Sequence, residues 1–411
     1  MTSFNPQSIL SARTAAIQEA SIIAMAQKAR KLKAKGHDII SLTLGEPDFD
    51  TPKHIRDAAC QAMNDGFTHY APIPGMAALK EALSKKFKDE NALAYDPAEI
   101  IISNGAKQSI TNAIFATIDP GDEVILLAPF WVAYEGVIAM AGGKPVLVYA
   151  GADENFKAPA SRIKAAMTEK TKLVIINSPN NPTGAMFTRA ELSEIAKIIC
   201  QHPTAMVIAD EIYEYINFDE DHVSIGSLPG MAARTITVNG FSKGFAMTGW
   251  RLGYAGAPAP IAKAMAKVQG TFTAGANAFV QVAAIAALEG PRDEVEMMRQ
   301  TYQTRRDMVV SGLNAINGIS APTPTGTFYV FADVSALFGK TFANHQIENV
   351  DDLCNWLLEV HHVATVPGTA FGDKNALRIS FATSSQNLDE AVKRIAHAFG
   401  AKSALEVIWP D

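Results

Sequence analysis

The sequence predicts an α/β protein: a large domain on a mostly parallel mixed sheet covered by helices, joined to a smaller α+β domain drawn from both chain ends. Two patterns carry that expectation. From about residue 100 short β-branched runs alternate with longer helical segments, the strand, crossover helix, strand order of a mostly parallel sheet buried on both faces. From about residue 291 a long charged helix is followed by short strands and further helices, which suits α+β.

In chain order, a polar leader precedes a helix over 21–36, where Ile22, Ile23, Ala26, Ala29 and Leu32 recur near helical spacing and Gly36 supplies a stop. An apolar strand over 39–44 then runs into the turn Gly45-Glu46-Pro47-Asp48. Strands are expected over 100–103, 124–127, 145–148, 173–177, 206–210, 235–239 and 252–256, with helices over 108–117 and 189–200 among their connections. The second region holds a charged helix over 292–314, strands over 327–332 and 377–382, and helices over 350–360 and 388–399. The expected division is an N-terminal arm contributing to the small domain (1–48), the large domain (49–290) and the small C-terminal domain (291–411). No internal repeat or low-complexity linker interrupts it.

Composition narrows the function. The 411 residues carry a net charge of −6 and no basic stripe, so sequence-independent nucleic-acid binding is not expected. The start MTSFNPQSIL lacks a basic region followed by an apolar run, and no stretch reaches the roughly 18 apolar residues of a spanning helix. A cytoplasmic protein with no membrane partner is expected. Cys60, Cys200 and Cys354 lack any CxxC spacing and are expected as buried free thiols. No metal site is expected either. His361 and His362 are adjacent and cannot share a helix face, and the acidic run at 219–222 lacks the glycine of a calcium loop and reads as a solvated turn. Phe338-Gly339-Lys340-Thr341 imitates the end of a phosphate loop, but Val334 stands where that loop needs glycine.

Ligands of open α/β sheets sit outside the carboxyl ends of the strands. After 100–103 come Asn104-Gly105-Ala106-Lys107-Gln108, small residues opening a helix whose free amides could hold a phosphate, although an ordinary strand-to-helix turn reads the same way. After 173–177 comes Ser178-Pro179-Asn180-Asn181-Pro182-Thr183-Gly184, dense in turn residues that need no function. The strand over 206–210 ends in Asp210-Glu211-Ile212-Tyr213, a carboxylate and a phenol at the sheet's mouth; alone, such an Asp is more often a helix cap. After 235–239, Lys243 lies among glycines and apolar residues beside Ser242, with Arg251 further on. Desolvation and a neighbouring cation both favour the neutral amine that a Schiff-base lysine needs, whereas most single lysines are solvated surface residues. The convergence of phosphate cradle, amide, carboxylate with phenol, and lysine is the set a pyridoxal phosphate site requires.

At these residues the sequence resembles the class I/II aminotransferases of the fold type I pyridoxal 5′-phosphate enzymes, most closely the bacterial aspartate aminotransferase branch. The segments are SLTLGEPDFDTP (41–52), THYAPIPG (68–75), SNGAKQ (103–108), APFWVAY (128–134), NSPNNPTG (177–184), ADEIYE (209–214), NGFSKGFAMTGWRLGY (239–254), PTGTFY (324–329) and VPGTAFG with LRISFA (366–382). The resemblance implies that Lys243 forms the aldimine with the cofactor and moves the proton, that Asp210 pairs with the pyridine nitrogen, and that Tyr213 and Asn181 bond its phenolic oxygen. Trp131 would stack on the ring. Gly105, Ala106, Lys107, Ser242 and Arg251 would hold the phosphate, with Tyr70 reaching in from the neighbouring subunit of a homodimer. Arg378 would clamp the substrate carboxylate beside the Gly45 amide.

The implied reaction is ping-pong transamination between an L-amino acid, foremost aspartate, and 2-oxoglutarate. A dicarboxylate needs a second cation, and in the bacterial branch with a GAK spelling the turn lysine, here Lys107, meets the distal carboxylate. The same branch includes enzymes that accept prephenate, distinguished near Arg13 and Gln18; the resemblance places Gln18 where prephenate users carry a basic residue. Aromatic or arogenate/prephenate transamination is therefore the runner-up. A lyase of the same fold, or a cofactor-binding regulator with an attached DNA-binding module, ranks lower.

Overall fold

A computed structural model of the chain describes residues 6–15, 21–219 and 221–401. Seven strands form the main sheet: β1 (Ile100–Ser103), β2 (Glu123–Ala128), β3 (Lys144–Tyr149), β4 (Thr171–Asn177), β5 (Met206–Asp210), β6 (Thr235–Gly240) and β7 (Gly253–Gly256). Their spatial order is β1-β7-β6-β5-β4-β2-β3. Strand β7 runs antiparallel to β1 and β6, and the remaining pairs are parallel. The seven strands expected over 100–256 are found within a residue or two of their predicted ends.

Successive strand residues face opposite sides of the sheet, and the two sides build separate cores. Val124 and Leu126 pack with Ile110 and Ile114 of the helix Ala106–Thr117, while Ile125 packs with Ile195 and Ile199 of the helix Arg189–Gln201. The outer strand β3 departs from the expected two-sided burial. Its Leu147 and Tyr149 are exposed, and the strand forms an edge of the sheet.

A second, antiparallel sheet joins β8 (Tyr329–Asp333), β9 (Val366–Pro367) and β10 (Ala376–Ser380) in the order β9-β10-β8. Leu313, Leu353, Leu357, Leu388 and Ile395 from the helices Asp293–Asn314, Val350–His361 and Ser385–Ala398 share a core with Leu377 and Ile379 of β10. The strand expected over 39–44 is cut to Ile40–Ser41, paired in parallel with Val363–Ala364. Beyond it the carbonyls of Leu42 and Thr43 accept from the Ser380 amide and the Arg378 guanidinium, which draws the backbone out of the ladder and towards β10.

Two readings of the sequence are corrected. Cys60 and Cys200 are exposed and only Cys354 is buried, all three being free thiols, since each of the first two sits on the outward face of its helix. The run at 219–222 is solvated at Asp219 and Asp221, which are exposed, but not at His222: Asp219 pairs with Arg306, and the largely buried His222 lies 3.0 Å from Glu211, while Glu220 lies outside the described residues.

His222 belongs to a buried polar cluster behind the turn that follows β5. The Lys86 ammonium donates to Glu214 and to Asn91 (2.6 Å), Asn91 donates to Glu214 (2.9 Å), and Ser224 donates to Glu211 (2.6 Å). Burial works against the Glu214 charge, but Lys86, His222 and Asn91 together outweigh it and hold the carboxyl below its ordinary pKa. Burial likewise works against a charged His222, and Glu211 and Glu214 together outweigh it to raise the imidazole pKa. Two acids thus face a lysine and a histidine within one buried cluster. Removing one partner strands a buried charge, so Lys86→Met is expected to cost about 3–5 kcal/mol, read as a fall in the urea midpoint.

Candidate active site

The carboxyl ends of β1, β4, β5 and β6 open into one cleft of about 490 Å³, closed from the other side by the Gly45 turn and by β8 and β10. Its walls hold Gly45, Ala106, Lys107, Trp131, Asn181, Asp210, Tyr213, Ser242, Lys243, Arg251 and Arg378, eleven of the residues singled out from the sequence. The buried Gly105 precedes Ala106 without lining the cleft itself, and Tyr70 stands apart. The Tyr70 side chain is 98% exposed and does not line the cleft.

Gly105 caps the helix Ala106–Thr117 at φ +86°, and a Cβ there would lie 2.6 Å from the Arg251 guanidinium. The positive φ calls for glycine, and the missing Cβ leaves room for the guanidinium. A Cβ on Gly253 of β7 would lie 2.3 Å from the Ala106 nitrogen, so the strand approaches the helix start closely. The first amides of a helix lack intrahelical partners, and here they open into the cleft beside Arg251.

Asp210 ends β5 and is 3% exposed. Its Oδ2 accepts from the Tyr134 hydroxyl at 2.6 Å and its Oδ1 from the Ile212 amide at 3.3 Å. Burial pushes its pKa up to about 6, against the Tyr134 hydrogen bond. Lys243 donates to the Gly45 carbonyl and sits 5.7 Å from the ring centres of Tyr213 and Phe328. Burial lowers its pKa to about 8, with Arg378 and Arg251 assisting and Glu46 opposing.

Arg378, on β10, donates to Asn181 Oδ1 (2.9 Å) and to the Thr43 carbonyl (2.7 Å), while its plane lies 4.4 Å from the Tyr329 ring centre and 4.8 Å from that of Phe371. Its buried Nε has no hydrogen-bond partner among the described residues, a donor left for a ligand anion. The Asn181 amide is fixed by Asn177 Oδ1 (2.7 Å), and Asn177 Nδ2 in turn donates to the Asp210 carbonyl (2.9 Å). Tyr213 and Tyr329 meet through their hydroxyls at 3.0 Å. The Lys107 ammonium stands 4.9 Å over the Trp131 ring, and burial next to Arg251 lowers its pKa.

Tyr134, Tyr329, Asn177, Glu46 and Thr248 also line the cleft and were not singled out from the sequence. Tyr134 and Tyr329 end the segments APFWVAY and PTGTFY, so the signal was adjacent. Nothing in the spacing said that either hydroxyl points inward. Trp250 is structural: its indole donates to Thr51 (3.0 Å), which donates to the Ala246 carbonyl (2.6 Å).

Over residues 37–395 the chain matches the family described as aminotransferase class I and II. The chain belongs to that family. This aminotransferase is 44% identical over 391 residues to an aspartate/prephenate aminotransferase of Nitrosomonas europaea, covering 94% of this chain and 98% of the relative. It is 43% identical to an aspartate aminotransferase of Rhizobium meliloti, with 94% and 95% covered. The crystal structure of an aspartate aminotransferase from Rhizobium meliloti superposes with a TM-score of 0.93 at 41% identity, covering 98% and 100% of the two chains. That of Thermus thermophilus with maleate gives 0.89 at 40%, covering 95% and 99%. The large mixed sheet with its helical cover is therefore the fold type I aminotransferase architecture. No helix among the described residues is long and apolar enough to cross a membrane.

Because its pKa is depressed, the Lys243 amine is protonated below about pH 8 and free above it. In the full chain without added ligand, its acetylation, followed by peptide mass spectrometry, is expected to rise with a midpoint near pH 8, against about 10.4 for an ordinary lysine.

Proposed function

We propose that this aminotransferase uses pyridoxal 5′-phosphate to exchange the amino group between aspartate and 2-oxoglutarate. The observation that carries the reading is a lysine with a pKa lowered to about 8 sharing one cleft with a buried carboxylate, two cationic clamps and an open helix start. The donor set fits the cofactor. The phosphate suits the helix start at Ala106 and Lys107, with Ser242, Arg251 and the space left by Gly105 beside it. Asp210 suits a protonated pyridine nitrogen, Tyr213 and Asn181 the phenolic oxygen, and Trp131 the ring face.

When bound, the cofactor supplies an electron sink and carries the amino group between the half-reactions. The chain does the rest. Lys243, as the free amine, takes the proton from the substrate Cα. Arg378, with its unpaired Nε, binds the substrate α-carboxylate beside the Gly45 amide. Lys107 over Trp131 meets the distal carboxylate, which gives a dicarboxylate its second cation. The exposed Tyr70 completes the phosphate site of a second copy, making the enzyme a homodimer with shared sites.

A second reading has its own support: the Nitrosomonas europaea relative is named for prephenate as well as aspartate. Of the two residues expected to bear on it, Arg13 is exposed in the short helix Ala12–Ala15 and Gln18 lies outside the described residues.

The test is the absorbance of the purified protein between about 300 and 500 nm. A visible band lost with aspartate and regained with 2-oxoglutarate is expected; a band answering only an aromatic donor promotes the second reading, and no band with added cofactor overturns the first. Lys243→Ala is expected to abolish turnover while still binding cofactor. Arg378→Lys replaces a planar fork by a point charge. The loss of one charge-assisted hydrogen bond, about 1.5–3 kcal/mol, is expected to lower kcat/KM by roughly 10- to 100-fold in steady-state assays. Lys107→Ala is expected to reduce kcat/KM for aspartate more than for alanine.

A further inference from the structure

Tyr134 reaches the cleft from the first turn of the helix Ala133–Ala141, with 1% of its surface exposed. Its hydroxyl donates to Asp210 Oδ2 at 2.6 Å, and its ring meets the Trp131 indole edge-on, with centroids 5.4 Å apart and planes at 88°. Among the described residues the other Asp210 oxygen receives only the Ile212 amide, at 3.3 Å. We infer that Tyr134 is a positioning residue of the transamination site, whose phenol keeps Asp210 an aimed carboxylate while its ring fixes the Trp131 indole. The inference rests on the pyridoxal phosphate reading above.

The physical need is plain. A carboxylate sealed from water tends to take up a proton, and a neutral Asp210 cannot form an ion pair with a pyridinium. Burial raises the Asp210 pKa, and the Tyr134 hydrogen bond is the largest influence lowering it. Burial and the Asp210 charge together push Tyr134's own pKa upward, so it stays a donor. The other ionisable groups facing Asp210 are Lys243, which favours the anion, Glu211, which opposes it, and Tyr213, a buried neutral phenol. The ring-edge contact ties this carboxylate to the wall that carries Lys107.

Full-length wild type and Tyr134→Phe, each freed of cofactor, are titrated with pyridoxal phosphate by fluorescence between about pH 5.5 and 9. Phenylalanine keeps the ring against Trp131, and thermal melts confirm the fold. If only anionic Asp210 binds well, the ratio of variant to wild-type Kd is about 10 at the acid end and falls towards 1 as pH rises past both midpoints. A ratio that is constant with pH, whether raised or equal to 1, overturns the inference and leaves the cofactor reading standing. A wild type that binds no cofactor overturns both. Infrared titration of the Asp210 carboxyl, assigned by its loss in Asp210→Asn, reads the same role without ligand. The midpoint is expected near pH 6 in wild type and about one unit higher in Tyr134→Phe, and an unchanged midpoint overturns the inference.

Discussion

Burial acts on Lys243 and Asp210 in opposite senses, and the rest of the cleft is organised around the consequence. Loss of water disfavours the charged form of each, lowering the lysine to about 8 and raising the aspartate to about 6. Groups that in water titrate far apart are thereby brought close to neutrality on either side of it. Each then needs local help: Asp210 from the Tyr134 hydroxyl, Lys243 from a carbonyl that holds it in place and from arginines that favour the free amine. A site meant to accept and release protons at ordinary pH is built by that balance.

The turn after β5 shows how the fold supplies such precision. Asp210, Glu211 and Glu214 are three acids in five residues, and all three are buried. Asp210 faces the cleft, while Glu211 and Glu214 face Lys86, Asn91, Ser224 and His222 behind it. The compensating charges sit on the back side, so the turn is anchored without bringing extra anions to the ligand face. Arg378 is placed with similar care: β10 pairs with β8 and β9, and the guanidinium lies against Tyr329 and Phe371 between the two sheets.

Much of this was legible along the chain. The seven main strands follow from short apolar runs with helical patterns between them, since a parallel sheet needs a crossover for each strand. The site residues gather at strand ends, because that is where neighbouring parallel strands open a crevice. Tyr134 and Tyr329 were not legible, for an aromatic residue looks like core until a neighbour captures its hydroxyl. The buried role of His222 was hidden for a related reason. Within an acidic run it reads as solvated, and its burial comes from its place against Glu211, part of a cluster that Lys86 of a distant helix completes.

By itself the sequence determined the α/β class, the order of the elements and the identity of the reactive groups, because periodicity and turn chemistry are local properties. The tertiary structure decided the pKa values of Lys243 and Asp210 and the pairing of Tyr134 with Asp210. It also decided the meeting of Arg378 with Asn181 across nearly 200 positions, and the exposure of Tyr70. These depend on which groups lose water together, and desolvation is a property of the packed volume that no stretch of chain carries alone.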